Sequence, residues 1–115
     1  MTAISTANAP HYVWGGVCDG WHLAETEGLS VIEERVPSGA AEVRHYHARA
    51  EQFFYVLVGT ATLEVEGVRH RLAPGQGLHV AAGERHQLAN RETGELRFLV
   101  VSVPPSHGDR ITVSP

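Results

Sequence analysis

Residues 45–58 read HYHARAEQFFYVLV, and this stretch decides the fold class. Its second part, EQFFYVLV from Glu51 to Val58, is rich in the aromatic and β-branched residues that are typical of β-strands. Apolar residues fall on both faces of this strand, so we expect it to lie centrally in a packed sheet. Gly59 is predicted to end it at a turn.

Short strand patterns continue on both sides of this stretch, separated by glycine and proline turns. Glu66-Gly67 is predicted to turn a hairpin. No segment combines a helical apolar stripe with helix caps. Many short strands at regular spacing predict an all-β sandwich or barrel. The predicted strands cover residues 29–36, 42–47, 51–58, 61–66, 68–72, 78–80, 86–90 and 96–103.

The length of the chain, 115 residues, fits one domain. Residues 1–10 are predicted to be a mobile tail, and residues 11–115 a single barrel domain. The formal net charge is −4, and the nine basic residues form no cluster. This charge pattern argues against nucleic-acid binding, which requires grouped positive charge.

Membrane and secretion signals are both missing from the pattern of the sequence. No apolar run approaches the roughly 20 residues that a spanning helix needs. The first ten residues have neither a basic start nor an apolar stretch, unlike a signal peptide. Cys18 is the single cysteine, so no disulfide can form within the chain. Together these features predict a cytoplasmic protein that does not bind membranes.

Four side chains have the spacing of a metal site: His45, His47, Glu51 and His86. Residues two apart in a strand point to the same face, so the first two imidazoles can converge on one ion. Glu51 follows a short break, and a neighbouring strand could bring its carboxylate beside them. His86 comes after the Gly83 turn and could add a third imidazole from another strand.

Three imidazoles and one carboxylate form a mixed nitrogen and oxygen site. Such a site suits Zn, Fe, Mn, Ni, Cu or Co, and the ligand set does not choose among these divalent ions. Four protein ligands leave two positions of an octahedral ion open for water or substrate. Open positions distinguish a catalytic metal from a closed structural one.

The sequence resembles the cupin superfamily, over about residues 38–90. The first cupin motif is a glycine, five residues, His-x-His, three or four residues, a glutamate, six residues and a glycine. The chain has Gly39, AAEVR, His45-Tyr46-His47, ARA and Glu51, with Gly59 after seven residues instead of six.

The second cupin motif is also present. Gly75 is followed by QGLHV, Ala81-Ala82-Gly83, ER, His86, QLA and Asn90. Ala81 stands where the family usually has proline. The resemblance implies a double-stranded β-helix, also called a jelly-roll or cupin barrel. It also implies a homodimer that exchanges strands or its N-terminal segment across the interface.

The parity of the strand Glu51–Val58 divides its side chains into two sets. Phe53, Tyr55 and Leu57 share parity with Glu51, and we predict that they line the pocket if the strand is regular. Plain core packing is the alternative for Phe53 and Leu57, whereas a buried Tyr55 hydroxyl would need a partner. The other set, Gln52, Phe54 and Val56, is predicted to face the opposite way.

Other conspicuous residues are interpreted more simply. Asn90 is predicted to make structural hydrogen bonds, and His79 to lie at a surface or interface. Residues 14–22 hold two tryptophans, three glycines and Cys18, and are predicted to close one barrel end or pack on a second subunit. The arginines that could instead hold an anionic substrate are predicted to be solvated: Arg44, Arg49 and Arg97.

Three functions remain open from the sequence. The first is a metal-dependent enzyme, like a dioxygenase or an isomerase, that acts on a small molecule in the barrel. The second is a non-catalytic barrel that binds or senses a small molecule or the metal. The third is a metal-stabilised barrel that serves in assembly. No general base outside the predicted ligand set is identifiable in the sequence.

Overall fold

The computed structural model describes residues 2–114, so Met1 and Pro115, the outer ends of the predicted tail and barrel, lie outside the described residues. Strands make up the regular structure of this part of the chain. They are β1 (His11–Trp14), β2 (Cys18–Glu25), β3 (Ser30–Val36), β4 (His45–His47), β5 (Glu51–Val58), β6 (Ala61–Val65), β7 (Val68–Leu72), β8 (Gly77–Val80), β9 (His86–Ala89), β10 (Leu96–Val103) and β11 (Arg110–Thr112).

The strands form two antiparallel sheets that face each other. One sheet has the order β1-β2-β3-β10-β5-β8, and the other has the order β11-β4-β9-β6-β7. β5 lies between β10 and β8, as its two apolar faces predicted. The all-β class and the double-stranded β-helix are therefore confirmed. Within residues 2–114, no helix is long and apolar enough to cross a lipid bilayer.

The core lies between the two sheets and is built by alternation along each strand. In β10, Leu96, Phe98 and Val100 are buried while the residues between them are more exposed. They pack with Leu63 of β6 and Leu88 of β9 from the opposite sheet. Burying such side chains contributes about 1.5–3 kcal/mol each to folding.

The alternation of β5 has the opposite parity to our prediction. Gln52, Phe54 and Val56 are buried and face the barrel interior. The residues predicted to line the pocket point outward instead, with exposed fractions of 42% for Phe53, 38% for Tyr55 and 39% for Leu57. The prediction for these three is wrong, because the strand enters the sheet one residue out of the expected phase.

Two turns show why particular residues are needed where strands end. Glu66 and Gly67 both adopt positive φ, 48° and 85°, which is the geometry of a two-residue hairpin between β6 and β7. Gly59 has a φ of 80°, and a Cβ there would lie 2.4 Å from the Glu95 carbonyl oxygen. Only glycine fits that close approach.

The N-terminal strands β1 and β2 were missed because their sequences alternate weakly. They form a hairpin at the edge of the six-stranded sheet, beside β3. Trp14 packs against the core, and the Arg97 guanidinium lies over the Trp21 ring at 5.3 Å. Before the hairpin, Ala9 N–H donates to the Ser5 carbonyl in a turn. Mobility of the predicted tail stays a prediction.

Candidate metal centre and cavity

Three of the four predicted metal ligands meet inside the barrel. His45 and His47 lie on β4, and the backbone register pairs His45 with His86 of β9. All three side chains are buried. One ring nitrogen from each lies within 4.8 Å of the others, which is a spacing that a single ion can bridge. The i, i+2 spacing on one strand and the pairing of β4 with β9 produce this convergence.

Backbone carbonyls orient two of these rings. His45 Nδ1–H donates to the Val43 carbonyl at 2.7 Å, and His86 Nδ1–H donates to the Glu84 carbonyl at 2.9 Å. These bonds place the proton on Nδ1 and leave the lone pair of Nε2 available. Among the described residues, the buried atoms His86 Nε2 and His47 Nδ1 have no hydrogen-bond partner. Orphaned, buried imidazole nitrogens fit a metal site.

Burial keeps the three imidazoles neutral. Desolvation lowers the pKa of His45 to about 3, and the neighbouring imidazoles act in the same direction. Burial is also the main cause of the lowered pKa values of His47 and His86. A neutral imidazole is the form that binds a metal ion, so these side chains are ready to ligate at neutral pH.

Glu51 does not join the histidines. Its side chain points to the outer face of the six-stranded sheet, where Glu51 Oε1 lies 2.8 Å from His79 Nε2. The side chains of both residues are more than half exposed, so His79 is a surface histidine as predicted. The prediction that Glu51 converges with His45, His47 and His86 is therefore wrong, for the same reason of strand parity.

Gln52 occupies the inward position that was assigned to Glu51. It is buried, and its Nε2 donates to Ser102 Oγ at 2.9 Å. Its Oε1 is buried without a partner in the described chain, which leaves a carbonyl-type oxygen lone pair for a ligand. The sequence did hold the signal. With four residues after His47 instead of three, Gln52 takes the acidic position and Gly59 follows after the expected six residues.

A cavity of about 490 Å³ lies beside the histidines. His45, His47 and Gln52 form part of its wall, together with Phe54 from β5 and Val100 from β10. The 106–108 segment also contributes to the lining. A chamber of this size, with an apolar wall and a few polar groups, suits a small organic molecule.

Two carboxyl groups face this cavity, and sequence reasoning missed both. Burial raises the pKa of Glu34 to about 7 and that of Glu42 to about 8. Glu34 Oε2 accepts a hydrogen bond from the Tyr12 hydroxyl at 3.0 Å, while Glu42 Oε1 accepts from Leu88 N–H at 2.9 Å. Neither residue has a motif spacing that would mark it, because they are brought together by β3 and the segment before β4.

Arg110 is the arginine that lines the cavity, instead of the three considered from the sequence. Its charge lowers the pKa values of the two cavity carboxyls and of the histidines. Arg44 forms a bidentate pair with Glu64, and Arg97 binds Glu95 and Glu33.

Two buried polar residues hold the loops around the site. Asp109 accepts hydrogen bonds from the backbone N–H groups of residues 48–50, at 2.9–3.1 Å. This arrangement positions the break between β4 and β5. Asn90 Nδ2 donates to the carbonyls of Val36 and Gly94, so its predicted structural role is confirmed.

An antiparallel double-stranded β-helix with a histidine cluster beside an internal cavity defines the class of the protein. The family model of the Cupin domain matches residues 32–102, and the chain belongs to that family. The match includes both predicted motifs from His45 onward. It also includes the inward residue Gln52 and the cavity residue Glu34.

Curated relatives resemble part of the chain. The chain is 32% identical over 69 residues to the tetracenomycin polyketide synthase protein TcmJ of Streptomyces glaucescens, covering 60% of this chain and 46% of that protein. The chain spans 40–65% of the lengths of the curated relatives that it matches.

Two solved structures share the fold at 20% identity. KdgF from Halomonas sp. superimposes with a TM-score of 0.84, over 93% of this chain and 98% of that one. The polyketide cyclase RemF from Streptomyces resistomycificus gives 0.82, over 100% and 87% respectively. At this identity, the likeness extends to the fold alone.

Proposed function

We propose that this cupin protein is a metal-dependent enzyme that acts on a small organic molecule in the barrel cavity. One observation carries the proposal: three buried imidazoles converge, two of them with an unpartnered nitrogen, and His45 and His47 line a cavity that two carboxyl groups also face. A barrel that only packed its core would have no use for orphaned polar atoms.

The metal would be held by His45, His47 and His86, with the Gln52 side-chain oxygen as a fourth ligand. A set of three nitrogens and one neutral oxygen suits Zn, Fe, Mn, Ni, Cu or Co. When bound, the ion would supply Lewis-acid polarisation of a substrate oxygen, or a site for dioxygen if it is Fe. The protein's own contribution is to hold the imidazoles neutral and to enclose the substrate.

The substrate class remains a small molecule, as the cavity volume of about 490 Å³ supports. Dioxygenase and isomerase chemistry are the two reaction classes proposed from the sequence. TcmJ is a polyketide synthase protein and RemF is a polyketide cyclase, so polyketide-like ketones are sensible first probes. The cavity carboxyls favour proton-transfer chemistry of the isomerase type.

Metal analysis tests the site directly. We expect His86→Ala to lower the affinity for a divalent ion by about 100-fold or more. Loss of a residue that only hydrogen-bonds a metal ligand costs up to about 100-fold, and loss of the ligand itself should cost at least as much. Glu51→Ala is the matched control, because Glu51 lies outside the barrel, and its metal content should equal that of the wild type. Elemental analysis and titration calorimetry measure both. Equal affinity in His86→Ala and wild type contradicts the proposal.

Turnover separates the enzyme from a non-catalytic binding or sensing barrel. Oxygen consumption and product formation are measured with the protein loaded with each candidate metal. A molecule that raises the melting temperature without being converted by any metal form would favour the non-catalytic function.

We also propose that the protein is a homodimer. The outward face of β5 and β10 is apolar, with Phe53, Tyr55 and Val103 all exposed. The register places Phe53 opposite Val101 and Tyr55 opposite Leu99, so these side chains adjoin across the strands. A second copy of the chain could bury this surface. The cytoplasmic location stays a prediction.

A further inference from the structure

Glu34 is an acidic residue that faces the cavity, unlike the acidic residues on the outer face of the same sheet. It lies on β3, in the middle of the six-stranded sheet between β2 and β10, and its side chain lines the cavity that His45 and His47 also line. Its Oε2 accepts from the Tyr12 hydroxyl, and its Oε1 makes no hydrogen bond among the described residues. One carboxyl oxygen is therefore held in place and the other is available to a molecule in the cavity.

The acids around Glu34 on the same sheet are committed to other partners. Glu33, its neighbour in sequence, lies on the opposite face and binds Arg97. Asp19 binds Arg35 and lies 2.8 Å from His11. Glu34 has no arginine or lysine within hydrogen-bonding distance in the described structure, so its charge is not consumed by an ion pair.

We propose that Glu34, oriented by Tyr12, is the residue that transfers a proton to and from a carbonyl compound bound in the cavity. This inference rests on the proposed function and names its acid–base group. Glu34 would be a catalytic residue, because its free oxygen touches the substrate, and Tyr12 a positioning residue that acts through it.

The reaction is balanced without an oxidant. The Glu34 carboxylate takes a proton from a substrate carbon next to a carbonyl group, forming a carboxyl O–H bond as the C–H bond breaks. The C–H electron pair becomes a C=C bond, and the carbonyl π pair moves to oxygen to give an enolate. Glu34 then returns the proton to a different atom of the same molecule. The net change is an isomerisation.

The surroundings of Glu34 suit both halves of this cycle. Burial raises its pKa to about 7, while the Tyr12 hydrogen bond and the charge of Arg110 oppose that rise. Both protonation states are therefore populated near neutral pH, as general acid–base catalysis requires. β10 presents the uncharged Phe98 and Val100 on this side. The titratable and charged groups that face Glu34 or share its cavity are Tyr12, Cys18, His22, Glu42, His45, His47, His107 and Arg110.

Hydrogen–deuterium exchange at carbon tests the proposal. Zinc-loaded protein is incubated in D₂O with cyclohexanone, pyruvate or 1-tetralone, and deuterium incorporation beside the carbonyl is followed by NMR. We expect wild-type protein to catalyse exchange of at least one probe, and Glu34→Gln to slow it by about 100-fold or more. The rate should rise with pH around a midpoint near 7, and Tyr12→Phe should move that midpoint upward, because it removes a hydrogen bond to the carboxylate.

A second measurement does not depend on activity. In metal-free protein labelled with ¹³C at glutamate carboxyls, one resonance should titrate with a midpoint near pH 7. This resonance should be absent from Glu34→Gln, and its titration midpoint should move to higher pH in Tyr12→Phe. Glu33→Gln is the matched control, since it removes the adjacent acid on the outer face, and it should change neither readout. Glu34→Asp keeps an acid and should retain part of the exchange if Glu34→Gln folds poorly.

The outcomes separate this inference from the proposed function. Exchange by Glu34→Gln at the wild-type rate, no exchange by wild type with any probe, or a Glu34 resonance that titrates near 4.5 would each overturn the role of Glu34. Metal content is measured on the same samples, so wild type that binds no metal contradicts the metal centre while the carboxyl titration still reports on Glu34.

Discussion

Glu51 and Gln52 are neighbours on β5, yet they lie on opposite sides of the sheet. Gln52 faces the histidine cluster with an unpartnered oxygen, whereas Glu51 sits outside against His79. From the sequence, the choice depends on whether three or four residues separate His47 from the acidic position of the motif. Gly59 follows Glu51 after seven residues but follows Gln52 after the expected six, and this spacing already favoured Gln52. A three-residue spacing after His47 selects Glu51, whereas the inward face of β5 carries Gln52.

The position of Gln52 leads to a prediction about metal affinity. Gln52→Glu should strengthen divalent-ion binding by about tenfold or more, because a carboxylate adds Coulomb attraction that a neutral amide lacks. The control is the reciprocal change Glu51→Gln, which removes a charge from the outer face and should leave the affinity unchanged. Titration calorimetry measures both variants. Stronger dependence on Glu51 than on Gln52 would argue against the inward assignment.

At the scale of elements, the break between β4 and β5 determines the phase in which β5 enters its sheet. The Asp109 carboxylate binds the backbone N–H groups of residues 48–50 from a segment about 60 residues further along the chain. The same break carries His47 at one end and Gln52 just beyond the other. One buried acid thus connects loop geometry with the positions of two candidate ligands.

The stability of this break should depend on pH. Hydrogen bonds from the three amides lower the pKa of Asp109 below its usual 3.8. The unfolded state therefore takes up a proton more readily than the folded state, so the stabilisation is present above pH 3.8 and is lost as the pH falls below it. Asp109→Ala should lower the melting temperature at pH 7 by roughly 5 °C or more and should lose this acid-side dependence.

Amide hydrogen exchange locates the effect. In Asp109→Ala the amides of residues 48–50 should exchange much faster, because their charged acceptor is gone. Asp19→Ala removes an acid on the outer side of the other sheet and serves as the control, with unchanged exchange at residues 48–50. Unaltered protection in Asp109→Ala would show that other contacts hold the break.

At the scale of the whole molecule, the six-stranded sheet separates two environments. Its inner face borders the core and the cavity, and its outer face carries the apolar side chains of β5 beside those of β10. Phe53 and Tyr55 stack at a centroid distance of 6.4 Å, and the Phe53 ring lies over Gly77 of β8. A flat aromatic surface of this kind is typical of protein interfaces.

This surface predicts how assembly responds to mutation. Phe53→Glu should raise the dimer dissociation constant by about 30-fold or more, which corresponds to loss of a residue important for binding. Val68→Glu is the control, because Val68 is also apolar and exposed but belongs to β7 of the other sheet. Sedimentation velocity over a concentration series measures both. A wild-type protein that is monomeric at all concentrations contradicts the homodimer.

Short-range information in the sequence determined the strands from β3 to β10, the Glu66-Gly67 turn and the two histidine motifs. Alternation, turn residues and ligand spacing act over a few residues, so they can be recognised without the fold. The i, i+2 spacing also identified His45 and His47, and the second motif identified His86, although the pairing of β4 with β9 that brings them together is a long-range contact.

The spacing of Gln52 to Gly59 hinted at which face of β5 points inward, but the tertiary structure was needed to establish it, and tertiary structure alone decided which residues share the cavity. Asp109 binds residues 48–50, directly before β5, from far along the chain, and a shift of one residue in that strand would exchange its two faces. Tyr12, Glu34 and Arg110 come from three distant segments, and their strands carry no spacing that links them. Burial beside this cavity, which only the folded chain creates, raises the pKa values of Tyr12 and Glu34.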